Sequence, residues 1–409
     1  MNILLITDSY PPEIRSASLM MAELARGLSA SGHRISVITS SPRYNLIEGQ
    51  RPSRRIFSRD REGEIRVFRV RTPPLHNTSH VKRGLAQLAL PLIFSLAGFF
   101  IGPVDRVIVY SPPLPLGLTA WFLKIAKGSE YIFNVQDLFP QNAIDLGALS
   151  NSGLVTFFRR LEKFIYRRAR YITVHSPGNK EFIVNLGIEP GKIEIIHNWI
   201  DPEVFASPAD SSPLDPAIDL QDKFVALFAG VMSYAQDMDI ILDAARILKE
   251  NRDIVFLLVG DGSQKPKLDY LKKKYELSNL IIHPFVPLES YPSLVVRVDV
   301  GLVTLKQDMK TPVVPSKILG YMAAGKPVIG SLNRESEAHQ IIETAGGGWS
   351  RRSDGPGDLA KAIRRLYRDP SLKEQMGEKG KKYVCKNFSF PASLAAYEKL
   401  LGDNRPAPA

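Results

Sequence analysis

Short β-branched runs alternate with amphipathic stretches along nearly the whole chain, in two series separated by a single break. Strands spaced this way must cross over through helices, and that selects parallel sheets covered by helices. The first series comprises Ile3–Thr7, a helix over about Ser16–Ser31, Arg34–Thr39, Ile65–Arg71, Arg106–Tyr110, Tyr131–Val135, Tyr171–Val174 and Ile193–Ile196. The second begins at Phe224–Ala229 and continues through Ile254–Val259, Leu280–Ile282, Val298–Thr304 and Pro327–Gly330. Between them, residues 206–223 concentrate Pro, Ser and Asp with no apolar period, as a linker does. The expected architecture is α/β: two Rossmann-like, doubly wound domains at 1–205 and 224–387, facing across a cleft. The stretch 388–401 is expected to pack back on the first domain, with a frayed tail from Gly402.

A chain of 409 residues suits two domains of this kind, and 44% apolar with 23% charged residues excludes a disordered or polytopic protein. The one cysteine, Cys385, excludes an intramolecular disulfide and a thiolate cluster, which fits a reducing compartment. The opening residues Met1–Asp8 lack a basic n-region and reach a charge after a few apolar residues, so they read as a strand and not a signal peptide. A cytoplasmic location follows as the expectation.

The net charge of +11 is unevenly spread. Residues 1–205 carry 25 basic against 17 acidic side chains, and the segment Arg43–Arg83 alone carries 11 against four. An anionic membrane, a nucleic acid or a merely solvated basic face would each account for this. Nucleic acid is disfavoured, because only Tyr44, Phe57 and Phe68 are interleaved with the arginines as stacking groups. Directly after it, Leu85–Gly102 runs 18 residues without a charge. Topology argues against a span, since the strands on either side are expected to share one sheet. The run is either a core helix or a helix lying in one leaflet, and the neighbouring basic stretch favours the second. The expectation is a peripheral, monotopic protein on the inner face of the cytoplasmic membrane.

Candidate site residues cluster where strands end. Ser316 after Pro315 reads as an N-cap, and Lys317 then falls in the first helical turn, unfavourable against the helix dipole unless an anion is bound. Gly230 and Gly260, the latter in Val-Gly-Asp-Gly, close strands and permit close backbone approach, although the full dinucleotide fingerprint is absent. In the first domain Asp8 or Glu13, and Asp137, put carboxylates at the C-terminal edge of the sheet, where one could accept a proton from a hydroxyl. The histidines His33, His197 and His283 show no metal spacing.

The ordered set SYPPE, SGHRISVITS followed by SPRY, NVQDLFPQ, LEKFIYRRARYITVHS, HNWID, LLVGDG and PSKILGYMAAGKPVIGS resembles the family 4 glycosyltransferases of GT-B fold. The resemblance covers nearly the whole chain, and its look-alikes are bacterial enzymes of O-antigen, capsule or exopolysaccharide assembly acting on polyprenyl-diphosphate-linked acceptors. It implies a retaining transfer from a nucleotide-sugar, a UDP-sugar in preference to a GDP-sugar, bound by the C-terminal domain. The lipid-linked acceptor would bind the N-terminal one. It implies no metal cofactor, because Lys or Arg and a helix N-terminus stabilise the departing diphosphate. Phe285 and Val286 would read the base, and Asp137 matches the aspartate of the acceptor side.

This chain departs from that pattern in several places. Two glutamates eight apart are replaced by Pro312 and Gly320, so Glu335 or Glu337 is the substitute ribose ligand. The usual Arg and Lys after the first donor-domain strand are Val231 and Gln236, which leaves phosphate charge to Lys317 with Lys306 or Lys310. The usual His before the aspartate is Gln136, and a Gly-Gly of the first loop is Arg15-Ser16, placed with Tyr44 on the acceptor side. Two rivals stay open: a sugar-nucleotide epimerase of like fold, and a catalytically silent scaffold of a polysaccharide assembly complex.

Overall fold

The computed structural model of the chain describes residues 1–13, 15–43, 55–73, 80–206, 212–310, 312, 314–352 and 355–403. Tyr44, part of the Arg43–Arg83 stretch, part of the linker and the end of the C-terminal tail lie outside them. The chain divides into two units, Met1–Asn198 with Pro391–Ala409, and Trp199–Phe390.

The first unit contains β1 (Asn2–Ile6), α1 (Ser16–Ala30), β2 (Arg34–Ser40), β3 (Phe57–Glu62), β4 (Ile65–Val70), α2 (His80–Phe99), β5 (Arg106–Ser111), α3 (Leu116–Lys127), β6 (Glu130–Val135), α4 (Gln141–Asp145), α5 (Ser152–Arg168), β7 (Tyr171–Val174), α6 (Pro177–Asn185) and β8 (Ile193–Ile195). Its sheet has the order β3-β4-β2-β1-β5-β6-β7-β8 among the described residues, parallel throughout except for the β3–β4 hairpin. The central strands are buried on both faces, as parallel strands between helical layers must be. Strand order reverses between β1 and β5, and such switch points are where open α/β sheets bind ligands.

The run expected at Leu85–Gly102 forms α2, which starts earlier, at His80, and is two-sided. Ala86, Leu90 and Phe94 enter the core, while Leu85, Leu92 and Leu96 face solvent at 65%, 77% and 66% exposure. The helix is neither buried all round nor free of the core. Among the described residues no helix is long and apolar enough to cross a membrane.

The second unit contains β9 (Phe224–Ala229), α7 (Met238–Ile247), β10 (Ile254–Val259), α8 (Lys265–Lys274), β11 (Leu280–His283), α9 (Tyr291–Val296), β12 (Val300–Thr304), α10 (Lys317–Ala323), β13 (Val328–Leu332), α11 (Ala338–Ala345), β14 (Gly348–Arg352), α12 (Pro356–Arg368) and α13 (Pro370–Asn387). Its six strands are all parallel, in the order β11-β10-β9-β12-β13-β14, with the reversal between β9 and β12. Part of the linker is held by this unit, where the Asp215 backbone N–H donates to His283 Nε2 at 3.4 Å; residues 199–205, expected in the first domain, also belong to it, and the ring of Phe205 stands edge-on to Tyr291.

After α13 the chain forms α14 (Phe390–Gly402), and this helix seats on the first unit. The Tyr397 hydroxyl is bonded to Asn134 of β6, Glu398 pairs with His33 at 2.8 Å, and Asp403 pairs with Arg170 at 3.8 Å. Of these partners Asn134 lies on a strand, buried in β6, where the Tyr397 hydroxyl gives its amide a second partner beside Gln136.

Candidate functional site

In the second unit the ends of β9, β10 and β11 are stitched by backbone bonds. The N–H of Gly230 donates to Val259 O and that of Gly260 to His283 O, both at 2.9 Å. The crossing needs glycine: a Cβ on Gly260 would lie 1.9 Å from Gly230 O, and its φ of +154° is one that side-chain-bearing residues avoid. Bare backbone therefore lines this edge.

Lys317, the first residue of α10, reaches over Gly230. A Cβ placed there would be 3.5 Å from its Nζ. The ammonium lies 3.9 Å from the centroid of the Phe228 ring and donates to Gln236 Oε1 at 3.0 Å. Among the described residues no carboxylate pairs with it, and loss of solvent lowers its pKa to about 7. A cation held by an aromatic face and one neutral amide has spare capacity for an anion. The helix is placed by Tyr321, whose hydroxyl accepts from the Ala229 N–H at 2.9 Å and whose ring fills the space above Gly301. Tyr321 and Phe228 were not singled out by sequence reasoning. Their signal is the glycine opposite: a Cβ on Gly301 would fall 2.1 Å from the Tyr321 ring.

Ser316 does not cap α10. It has helical angles, φ −59° and ψ −25°, and makes no side-chain cap bond, because capping requires the extended backbone that the chain lacks on entering from Pro315. Of the other expected donor residues, Gln236 joins Lys317, whereas Phe285 and Val286 follow β11, with Phe285 exposed. Lys306 sits over the Tyr234 ring at 4.3 Å and its backbone N–H donates to Ala235 O, tying the β12 loop to the β9 loop; Lys310 is exposed further along. Glu335 and Glu337 follow β13, two strands from β9. Glu335 buries a carboxylate oxygen that has no hydrogen-bond partner among the described residues. A glutamate at position 320 would crowd Tyr291: a Cβ there would be 2.8 Å from the Tyr291 hydroxyl, which would have to shift.

In the first unit Asp8 is buried after β1 and pairs with Arg15 at 3.1 Å. Arg15 occupies the N-cap position of α1, and Ser16 is that helix's first residue. Asp137 follows β6 and is exposed, yet the protein mass around its carboxyl raises its pKa, with the Arg15 guanidinium pulling the other way. Water at the exposed side limits that rise. Gln136 is engaged at both ends: its Nε2 donates to Asn134 Oδ1 and its Oε1 accepts from Asn198 Nδ2, each at 2.8 Å. It holds the loop carrying Asp137 to β6 and to the end of the unit. Glu13 accepts from Ser9 Oγ at 3.1 Å and from the Arg43 N–H at 2.7 Å, so its carboxylate orders two loops. His175 is buried with its pKa lowered to about 4 by loss of solvent and by His197, and it stays neutral beside Asn179. Among the described residues no three His, Cys, Asp or Glu side chains form a group that could hold a metal ion.

Comparison with known proteins agrees with this division. A glycosyl transferase 4-like domain is recognised over residues 17–199, and a domain of the glycosyl transferases group 1 over residues 215–383. The chain is 29% identical over 286 residues to the probable glycosyltransferase WbjE of Pseudomonas aeruginosa, covering 69% of this chain and 71% of that one. It is 26% identical over 354 residues to the putative colanic acid biosynthesis glycosyl transferase WcaI of Escherichia coli, covering 84% and 86%. Its fold is similar to that of HepE from Anabaena, solved in complex with UDP and glucose, with a TM-score of 0.72 at 16% identity over 98% of this chain and 99% of that one.

Proposed function

Because the chain belongs to the family 4 glycosyltransferases of GT-B fold, we propose that it moves a sugar from a UDP-sugar to a hydroxyl of a lipid-linked saccharide in polysaccharide biosynthesis, with the anomeric configuration retained. The observation that carries this reading is Lys317: an ammonium with no carboxylate partner among the described residues, held over the bare backbone of Gly230 at the switch point of the second sheet. As the bond from the sugar C1 to the diphosphate breaks, negative charge gathers on the leaving oxygen, and Lys317 neutralises it more strongly in the transition state than in the ground state. No resident metal is needed for that step in this reading.

The sugar C1 then forms its new bond to the acceptor oxygen, whose proton passes to a carboxylate. Asp137 is that carboxylate, its raised pKa making it a better base near neutral pH than an ordinary aspartate. Gln136 and Arg15 position it. UDP is the favoured leaving group because HepE, of like fold, is solved with UDP and glucose. Glu335, with its unpartnered buried oxygen, is the candidate for the ribose hydroxyls, and Phe285 and Val286 for the base. A lipid-linked acceptor places the enzyme at the inner face of the cytoplasmic membrane.

The test is a screen of nucleotide-sugars with membrane extract as acceptor, followed by mass analysis of the lipid product and assignment of its anomer. Lys317→Ala should lower turnover by about 100-fold, as removal of one charge-stabilising donor does. Unchanged turnover in the folded variant would remove Lys317 from the mechanism, and no transfer from any nucleotide-sugar would sink the reading.

A further inference from the structure

Helices α2, α3 and α5 follow β4, β5 and β6, and each connection runs in the same direction across the sheet. Right-handed crossovers therefore lay all three on one face. They form a continuous layer: α2 packs on α3 and α3 on α5, with Trp121 edge-on to Phe164 at 5.1 Å. The outer surface of that layer is unlike the rest of the molecule. Ten of the twenty most exposed large apolar side chains among the described residues lie on these helices or in the turn after α2, including Leu85, Leu92, Leu96, Phe100, Ile125 and Phe157. Contiguous apolar surface of this kind marks an interaction site.

The charges on the same helices are almost all of one sign. By sequence α2 carries two basic residues, α3 two and α5 five, against a single acid, Glu162, which is fully buried and paired with Arg159 at 3.1 Å. Outward on α5, Phe157, Arg160 and Arg168 are exposed, and Arg168 stands over the Phe164 ring at 5.6 Å. We infer that the outer face of α2, α3 and α5 is a docking surface for an anionic lipid bilayer. This rests on the membrane-side acceptor in the reading above, and adds which face of the protein meets the membrane.

A second copy of the chain fits poorly, because a symmetric pairing would bring two basic faces together. Within the Arg43–Arg83 stretch, two arginines of β4 are engaged inside the protein. Arg69 pairs with Asp60 at 2.8 Å and Glu62 at 3.6 Å, and Arg66 donates to Ser36 at 2.9 Å. On the layer itself α5 supplies basic side chains across α3 from the apolar stripe of α2, and shallow apolar insertion combined with basic residues is what stable interfacial attachment takes.

The test is flotation of the full chain with vesicles of phosphatidylcholine alone or mixed with phosphatidylglycerol, with no donor or acceptor present. The wild-type chain floats with the mixed vesicles, and Ile125→Glu with Phe157→Glu weakens binding by about tenfold or more. Arg160→Glu with Arg168→Glu does likewise, while Arg61→Glu with Arg71→Glu does not. Hydrogen exchange gives a second readout: vesicles protect α2, α3 and α5 and leave the second unit unchanged. A wild-type chain that does not float, variants that float undiminished, or a dimer dissolved by the same substitutions would overturn the inference. Donor turnover is scored separately, so a chain that floats as described but transfers no sugar refutes the function and leaves the docking face standing.

Discussion

An ammonium whose pKa has fallen to about 7 is half deprotonated at neutral pH, and that gives Lys317 a measurable signature. A diphosphate seated over Gly230 restores the charge and returns the pKa toward the ordinary lysine value of 10.5. Between those two values UDP binding must take up one proton, so affinity falls by about tenfold for each pH unit, or roughly 1.4 kcal/mol. From pH 7 to 9 the loss is about 50-fold, because the free enzyme, already half deprotonated at pH 7, progressively lacks the charge that the complex needs. Calorimetry at pH 8.5 in buffers of different ionisation enthalpy should report an uptake close to one proton per UDP bound. Lys317→Arg keeps its charge throughout this range and should remove both the uptake and the pH slope. The sign for folding is the reverse: the unfolded chain holds this proton up to about pH 10.5 and the folded chain loses it near 7, so this group makes stability rise with pH in that window. The stability difference between wild type and Lys317→Met should shift accordingly. A UDP affinity that is flat from pH 7 to 9, with no buffer-dependent enthalpy, would refute the reasoning.

Asp137→Asn should lower transfer by about 100-fold or more while UDP affinity, measured by the same calorimetry, stays within about twofold. Joint loss of both would make the residue structural. Gly260→Ala drives a methyl against Gly230 O and should cost about 2 kcal/mol or more in denaturant unfolding, with UDP binding weakened as the strand ends part. Gly301→Ala should cost about as much by displacing the Tyr321 ring, and the Tyr321 hydroxyl's bond to Ala229 makes weakened UDP binding its second readout.

Strands buried on both faces were legible because they read as unbroken apolar runs: β1, β5, β9 and β10 are such segments. The edge strands β3 and β14 were not, since Phe-Ser-Arg-Asp-Arg-Glu and Gly-Trp-Ser-Arg-Arg are dominated by side chains that an edge can leave in water. For α2, composition alone could not separate core from surface, because its buried and exposed faces are equally apolar. At the candidate site Lys317 and Asp137 stood out by charge at a strand or helix end. What the residue types could not reveal were commitments made across the fold. Glu13 is taken up by a backbone N–H 30 residues away, Gln136 by neighbours from β6 and from Asn198, and the place of a glutamate at 320 by the Tyr291 hydroxyl. Such long-range partners follow from packing, which local pattern does not encode.

The seat of α14 on the first unit has a consequence for how the protein is made. Tyr397 bonds Asn134, which in turn orders Gln136 and the loop of Asp137, but α14 leaves the ribosome only after every strand of the second unit. A nascent chain therefore holds its N-terminal sheet with the Asn134 amide nitrogen of β6 still lacking this partner while some 190 further residues are synthesised. The loop carrying Asp137 acquires its final order last, so a chain interrupted within the second unit presents a first unit without the helix that completes it, the kind of unfinished surface that chaperones and proteases bind.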